Sequence, residues 1–115
     1  MISYIVMNRS SLNKQAAADA LAALGNRTRL RLFRLLVKAG HDGLNVGEIQ
    51  ARLNVPASTL AHHIATLTQA GLIEQQRQGR ETRCRAGYGR MQALLDYLSD
   101  ECCAGFADMT DDAAA

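Results

Sequence analysis

The stretch from Asn45 to Arg85 constrains the fold most, because it predicts two short helices, a tight turn and a β-hairpin in immediate succession. Asn45 with Glu48 three residues later has the form of an N-cap and its N3 partner, although Ser or Thr is the usual first member. We expect this helix to end near Leu53. Pro56 then suits the start of the next helix, where its missing N–H is not needed.

The helix that begins at Pro56 has an apolar face and a face of small, hydrogen-bonding residues. The apolar face consists of Leu60, Ile64 and Leu67, and Ala70-Gly71 ends the helix with a small residue and a C′ glycine. The residues predicted to face outward are Ser58, Thr59, Ala61, His62 and Thr66. A helix that enters the DNA major groove needs such a face, because bulky side chains would hold its backbone away from the base edges.

An arginine-rich hairpin is predicted directly after this helix. Its strands span roughly Leu72–Arg77 and Glu81–Ala86, with Gln78-Gly79-Arg80 at the tip, where glycine permits φ > 0. The hairpin arginines are Arg77, Arg80, Arg83 and Arg85. They alternate, so they do not all face one side. Arg80 at the tip is best placed for phosphate or minor-groove contact, and Arg77 belongs to the same predicted DNA-binding set.

Three further helices flank this segment. The first runs from Ser10 or Ser11 to Leu24, the second from Arg27 to Lys38, and the last from Gly89 to Cys103. The residues expected to face inward from the second helix are Leu30, Phe33, Leu36 and Val37. The last helix carries the stripe Met91, Leu94, Leu95, Leu98 and Cys102. We predict a mainly α fold with a small β-hairpin, a winged helix-turn-helix. It comprises a flexible leader at 1–9, the DNA-binding and dimerisation domain at 10–104, and a disordered acidic tail at 105–115.

Composition agrees with one domain. The chain has 115 residues, 48% of them apolar, enough for a modest core. It contains no apolar run of the roughly eighteen residues that a membrane helix needs, and it lacks a signal-peptide leader, so we expect a cytoplasmic protein without membrane contact. Its three cysteines indicate free thiols or metal ligands. A basic cluster comprises Arg27, Arg29, Arg31 and Arg34, and it is either part of a polyanion-binding surface or a solvated charged face.

The segment Ala23–Leu36 resembles the opening signature of the ArsR/SmtB family of winged-helix repressors. Residues Ser58–Ile73 resemble that family's recognition helix and its exit, and Gly79-Arg80 resembles the wing tip, so that the resemblance covers about residues 12–103. It implies a homodimer formed by the first and last helices. Each fourth helix would read half of an inverted repeat in double-stranded operator DNA, and an inducer would lower the affinity for DNA.

Independently of the resemblance, Ser58, Thr59 and His62 on the outward face are expected to reach base edges or phosphates. Compared with the family, Ala61 replaces the usual serine and lacks its hydroxyl. His63 matches a common family histidine and is included among the DNA contacts. It could equally be a partly buried helix residue with one hydrogen bond. The residues expected at the dimer interface are Leu12, Ala16, Ala20, Leu94, Leu95 and Leu98.

Two sensing sites familiar in this family are missing from the sequence. Asn45 and Gly47 stand where arsenic and cadmium sensors often carry Cys-x-Cys. The zinc pattern of the last helix is absent too, because Asp96 is followed by Leu98 and no histidine follows His63.

What remains is Cys102-Cys103, which resembles the C-terminal cysteine pair of an arsenite-responsive subgroup. That subgroup has a third cysteine where Met109 stands here. Soft thiolates select thiophilic ions, so As(III) or Sb(III) is the expected inducer, and DNA binding itself should need no cofactor. The third ligand would be Met109, a cysteine of the other subunit or a small external thiol.

Other interpretations stay open. Cys102 could be a small apolar residue at the dimer interface, and the pair could sense oxidants or reactive sulfur instead of a metalloid. A winged helix that binds a protein is a third alternative. Cys84 is expected to be a bystander. An enzyme is not expected, because His62 and His63 have no activating third group in the sequence.

Overall fold

A computed structural model describes residues 12–106, and these form five helices and three strands. The helices are α1 (Lys14–Leu24), α2 (Arg27–Ala39), α3 (Val46–Leu53), α4 (Ala57–Gln69) and α5 (Tyr88–Ser99). The strands are β1 (Leu44–Asn45), β2 (Ile73–Gln78) and β3 (Glu81–Ala86), in the antiparallel order β1-β3-β2. The predicted mainly α, winged helix-turn-helix fold is confirmed. The expected leader, nearly all of the expected tail and Met109 lie outside the described residues.

Asparagine side chains cap the first three helices. The Oδ1 atoms of Asn13, Asn26 and Asn45 accept backbone N–H groups three residues later at 2.8, 3.0 and 2.8 Å. Because Asn13 supplies this cap, α1 begins at Lys14, later than expected from the sequence, and the two serines proposed as caps lie outside the described residues. The predicted pair of Asn45 and Glu48 forms a complete capping box, in which Glu48 Oε1 accepts the Asn45 N–H at 2.8 Å.

The core is built from one face of each helix and from the inner face of the sheet. Its largest fully buried side chains include Leu32, Leu36, Ile49, Leu60, Leu67, Leu72 and Ile73. The prediction for α2 was wrong at Leu30, which is 44% exposed, while Leu32 is buried. Residues two apart are separated by roughly 200° around a helix, so Leu30 and Leu32 cannot both face the core.

The sheet has a third strand that the sequence analysis missed. β1 contains only Leu44 and Asn45, which lie opposite Cys84 and Arg83 of β3. Two residues are too few to show an alternating pattern, so no sequence signal marks such a strand. Asn45 ends β1 and also caps α3, so this short strand connects the wing directly to the helix-turn-helix.

The last helix ends four residues earlier than the sequence analysis predicted. α5 stops at Ser99, and Asp100 already has an extended backbone. Glu101 and Cys103 have positive φ angles of 62° and 64°, which are incompatible with continued right-handed helix. Cys102 therefore does not continue the apolar stripe of α5, and Cys102 and Cys103 lie in a turn beyond the helix.

The start of α5 depends on a close approach between two backbone segments. The N–H of Gly87 donates to the carbonyl of Leu72 at 2.8 Å, and a Cβ on Gly87 would overlap the carbonyl oxygen of Gly71. Glycine at this position therefore lets the end of β3 pass directly against the end of the α4 segment.

We predict that Gly87→Ala lowers the free energy of unfolding by about 1–3 kcal/mol, because the backbone on both sides must shift to relieve the overlap. Gly47→Ala is the matched control. Gly47 lies within α3 with only the Asn45 side chain nearby, so alanine should be neutral or stabilise by up to about 1 kcal/mol. Urea unfolding at one fixed protein concentration measures both. Equal stability of the two variants would contradict the proposed close packing.

Candidate nucleic-acid interface and thiol pair

The turn between α3 and α4 presents α4 to solvent along one side. Asn54 ends α3 with a left-handed backbone (φ 56°, ψ 50°), a conformation that asparagine tolerates, and its N–H donates to the Gln50 carbonyl at 2.8 Å. The Gln50 side chain donates to the Val55 carbonyl at 3.2 Å and so closes the turn. α4 then starts after Pro56.

The outer face of α4 carries small and polar side chains, as the sequence analysis predicted. Ser58, Thr59, Ala61 and His62 are exposed, and Thr66 is partly buried. Leu60, Ile64 and Leu67 are buried on the opposite side, which fixes the rotation of the helix about its axis. This face is therefore available to a flat or grooved partner such as a DNA duplex.

His63 lies inside the protein, which corrects its inclusion among the DNA contacts. Its residue surface is only 8% exposed, and its Nδ1 atom lies 3.4 Å from Nη1 of Arg29. Arginine can only donate, so Nδ1 must be the acceptor and the proton of the neutral ring sits on Nε2. Burial, with smaller contributions from Arg29 and His62, lowers the pKa of His63. Between the two interpretations left open, the geometry favours the buried residue with one hydrogen bond.

The two faces of the wing differ. Gln75 and Arg77 lie on one face, opposite Cys84 and Thr82 of β3. The Gln75 amide donates to the Thr68 hydroxyl of α4 at 3.0 Å, so this face adjoins α4. β2 includes Gln78, so the loop at the tip contains only Gly79 and Arg80, one residue fewer than predicted.

The arginines on the other face of the wing are engaged in ion pairs. Arg85 meets Glu74, its cross-strand neighbour, at 2.9 Å. Arg83 contacts Glu81 at 2.8 Å and donates to the carbonyls of Asp42 and Gly43 at 2.9 and 3.0 Å. Its hydrogen bond lowers the pKa of Glu81, and Asn45 adds to this effect. Among the residues at 12–106, these salt bridges do not include Arg77 or Arg80, and both are exposed.

This division among the wing arginines was not predicted from the sequence. Cross-strand placement of opposite charges could have revealed the Arg85–Glu74 pair, because residues directly opposite on a hairpin interact. The predicted three-residue tip put the strands one residue out of register, however, and hid that pair. The contacts of Arg83 with the loop before β1 have no sequence signal, because they join residues about forty positions apart.

Cys102 and Cys103 are both exposed, and their sulfur atoms lie 3.4 Å apart. Cys84 is buried on β3, and burial raises the pKa of its thiol. Across residues 12–106, no three His, Cys, Asp or Glu side chains come together as a metal site. At the start of α3 the Asn45 side chain is occupied by Glu48 and Glu81.

The residues expected at a dimer interface divide into two groups. Leu95 and Leu98 on α5 are 52% and 56% exposed, so they offer apolar surface to a partner. Leu12, Ala20 and Leu94 are buried within the chain itself, and Ala16 is partly buried. The prediction was therefore wrong to assign these three buried residues to an intersubunit surface, because their side chains already pack in the core. The exposed leucines of α5 remain as the candidate surface.

Comparison with known proteins agrees with this arrangement. A sequence profile described as a helix-turn-helix domain matches residues 24–76. A protein of Halobacterium salinarum named "Putative arsenical resistance operon repressor ArsR" is 36% identical over 66 residues, which are 57% of this chain and half of that protein's length. In the part of the chain that the structure describes, none of the helices is long and apolar enough to cross a membrane.

Two solved structures extend the match over most of the domain. A homodimeric winged helix-turn-helix DNA-binding domain from Mycobacterium bovis has a TM-score of 0.60 and 26% identity, covering 76% of this chain and 81% of that one. A crystal structure named "Possible transcriptional regulator for arsenical resistance" has a TM-score of 0.58 and 30% identity, covering 81% of this chain and 98% of that one. The fold and its exposed helix thus define a transcriptional regulator with a helix-turn-helix, and not an enzyme. The chain belongs to the ArsR family of winged helix-turn-helix regulators.

We predict that His63 makes stability depend on pH. Its folded pKa lies below the ordinary value, so the unfolded chain binds more protons as the pH falls through about 6.5. The contribution of neutral His63 is complete above that pH and is lost on acidification. Each pKa unit of difference corresponds to about 1.4 kcal/mol of unfolding free energy.

Urea unfolding between about pH 7.5 and pH 5 measures this contribution. His63→Gln should flatten the loss of stability relative to the unsubstituted chain. His62→Gln removes an exposed histidine from the same helix and should leave the loss nearly unchanged. If the unfolding free energy of His63→Gln depended on pH as strongly as that of the unsubstituted chain, the prediction would be refuted.

Proposed function

We propose that the protein is a homodimeric repressor that binds a specific operator and is released from it by a thiophilic metalloid. The observation that supports DNA binding is the exposed face of α4, on which Ser58, Thr59 and His62 point outward. Beside it lies the wing, whose Arg77 and Arg80 are outside the salt bridges of the described residues. Small hydroxyl side chains let a helix approach the base edges, and His62 can donate to base or phosphate acceptors.

The wing supplies the phosphate contacts in this proposal. Arg80 lies at the hairpin tip and Arg77 lies on the face that adjoins α4, so both can reach the backbone that flanks the groove. Arg83 and Arg85 already neutralise glutamates, and moving them to phosphate would leave those carboxylates unpaired near a polyanion. We therefore assign only the first two arginines to DNA.

We predict that Arg80→Gln lowers the slope of the logarithm of operator affinity against the logarithm of salt concentration by about one unit, because one phosphate contact is lost. Arg85→Gln is the matched control, since it removes one arginine from the same hairpin on the face that pairs with Glu74. Fluorescence anisotropy with a duplex enriched from a random pool measures both slopes. A salt slope lowered by about one unit in Arg85→Gln and unchanged in Arg80→Gln would reverse the assignment.

The homodimer is supported by the exposed apolar surface of Leu95 and Leu98 on α5 and by the homodimeric state of the related Mycobacterium domain. Two copies joined there would place their α4 helices on successive turns of one face of DNA. For helix-turn-helix dimers this spacing is about 34–36 Å, which corresponds to an inverted repeat.

Cys102 and Cys103 are proposed as the inducer site for As(III) or Sb(III). Thiolate–metal bonds are roughly 2.3 Å long, so two sulfurs on one ion lie within about 4.6 Å of each other. The present separation of 3.4 Å meets that limit without rearrangement, and both thiols are exposed to an incoming ion. A third sulfur would come from Met109, a partner cysteine or an external thiol, because soft ions favour sulfur ligands.

Release follows from the position of the pair in the fold. The turn that holds both cysteines continues directly from α5, the helix that carries the exposed leucines. A metalloid bound there would reorient the end of α5 and change the distance between the two recognition helices of a dimer. The ion must bind the DNA-free conformation more tightly for this to lower the operator affinity.

A second candidate is a repressor that senses oxidants or reactive sulfur through the same thiols, since both are exposed and in contact. Neighbouring Cα atoms are about 3.8 Å apart, below the usual range for a disulfide. Oxidation would therefore join the subunits or add a small thiol more readily than it would link Cys102 to Cys103.

Titration of the DNA complex with arsenite, antimonite or the thiol oxidant diamide separates these candidates. We predict release by arsenite or antimonite, and a loss of that response in the double variant Cys102→Ser/Cys103→Ser. Cys84→Ala is the matched cysteine control and should respond as the unsubstituted protein does. Release by diamide alone would favour the redox sensor. A normal arsenite response in the double variant would exclude the cysteine pair, and weak, sequence-blind DNA binding would favour a protein-interaction module.

A further inference from the structure

We propose that Arg29 is the positioning residue of the recognition helix, which it holds in its DNA-reading orientation through His63 without itself touching DNA. This inference rests on the proposed DNA-binding function. It separates Arg29 from the surrounding basic cluster of Arg27, Arg31 and Arg34, whose members are exposed, whereas Arg29 is partly buried.

The contacts of Arg29 join three parts of the fold. Its backbone N–H donates to the Asn26 side chain at 3.0 Å and so completes the cap of α2. Its Nε atom donates to the carbonyl of Ala23 at 2.6 Å, and Nη1 lies 3.4 Å from His63 Nδ1. One guanidinium therefore spans from the end of α1 to the middle of α4.

The charge of Arg29 is favourable where it lies. Ala23 is in the last turn of α1, where backbone carbonyls have no partner within the helix and the helix dipole is negative. A cation that donates there satisfies a carbonyl and is stabilised by the dipole. Nη1 of the same guanidinium lies 3.4 Å from His63 Nδ1, the ring nitrogen that accepts its hydrogen bond, so the ring is held against a group that is itself fixed to α1.

Among the side-chain hydrogen bonds of the described residues, none joins α1 directly to α4, so Arg29 of α2 connects the two helices. A groove separates the two helices and is lined by Asp19, Ala22, Ala23, Arg29, Thr66, Gln69 and Ala70. Alanines contribute little packing area across such a groove. Among the side-chain hydrogen bonds of the described residues, the Arg29–His63 contact is the one that links α2 to α4. Burial of Leu60, Ile64 and Leu67 sets which face of α4 is outward, and the Arg29–His63 contact adds a polar restraint on smaller movements of that face.

His63 lies in the sequence between a residue proposed to contact DNA and a residue of the buried core. It directly follows His62, the exposed residue proposed to contact DNA, and directly precedes Ile64, which is buried. The ring of His63 therefore restrains the backbone at the residue whose neighbour reads DNA. Loss of the Arg29 contact should affect the discrimination between duplexes more than general attraction to phosphate, because no phosphate partner is removed.

The test compares Arg29→Gln with Arg31→Gln, which removes an exposed arginine from the same helix. The probes are a duplex enriched from a random pool by the unsubstituted protein and a scrambled duplex of equal length. We expect Arg29→Gln to lose roughly tenfold in preference for the enriched duplex while its salt slope equals that of Arg31→Gln. A slope lowered by about one unit relative to the control would make Arg29 a phosphate contact and overturn the inference.

A second pair of variants keeps the test decisive if Arg29→Gln is poorly folded. His63→Gln retains an acceptor for the guanidinium and should preserve the preference, whereas His63→Leu removes the acceptor and should lose it. Circular dichroism of each variant measures the folded fraction, and affinities are corrected for it. An unchanged preference in His63→Leu would overturn the positioning role. If the unsubstituted protein enriches no duplex at all, the proposed DNA-binding function fails, and this inference fails with it.

Discussion

The helix-turn-helix and the wing depend on one junction, centred on the side chain of Asn45. Its Oδ1 accepts the Glu48 N–H, which starts α3, and its Nδ2 donates to Glu81 at 3.0 Å, at the start of β3. Asn45 also lies opposite Arg83 in the sheet, and the Arg83 side chain forms a salt bridge with Glu81. Because each group has several partners, the relative position of wing and helices is set by a connected hydrogen-bond network.

Ion pairing divides the arginines of this chain into structural and available groups. Arg83 and Arg85 are held by carboxylates, Arg29 is held by a carbonyl and a neutral histidine, and Arg77 and Arg80 are outside the salt bridges of the described residues. A count of basic residues gives all of them equal weight. The surface offered to a polyanion is therefore smaller and more directional than the composition implies, because glutamates offset the charges of Arg83 and Arg85 and the Arg29 side chain is partly buried.

The end of α5 brings the proposed signal site close to the proposed dimer surface. Extended backbone at Asp100 and left-handed backbone at Glu101 and Cys103 stop the helix and expose both thiols in a turn. If the helix had continued, the two side chains would have been separated by roughly 100° around its axis. The turn instead brings their sulfur atoms to 3.4 Å, a geometry that a single soft ion can bridge.

By itself, the sequence was sufficient to predict the order of five helices and a hairpin, the capping box at Asn45, and the buried face of α4. These features depend on local hydrogen bonds and on short periodicities, which neighbouring residues encode directly. The outward position of Ser58, Thr59 and His62 likewise follows from helical spacing, whereas the family resemblance added the hypothesis that Cys102-Cys103 senses a metalloid.

Only the tertiary structure decided the two-residue strand β1, the end of α5, the burial of His63 and the pairing of Arg29. β1, the burial of His63 and the pairing of Arg29 depend on groups far apart in the chain; Arg29 and His63, for example, are separated by 34 positions. The end of α5 is set by the backbone angles of Asp100, Glu101 and Cys103, which the periodicity of its side chains does not reveal. Short-range patterns carry no information about which distant donor will meet a given acceptor. That choice is made when the helices pack, because a buried polar group must find a partner within the space that packing leaves.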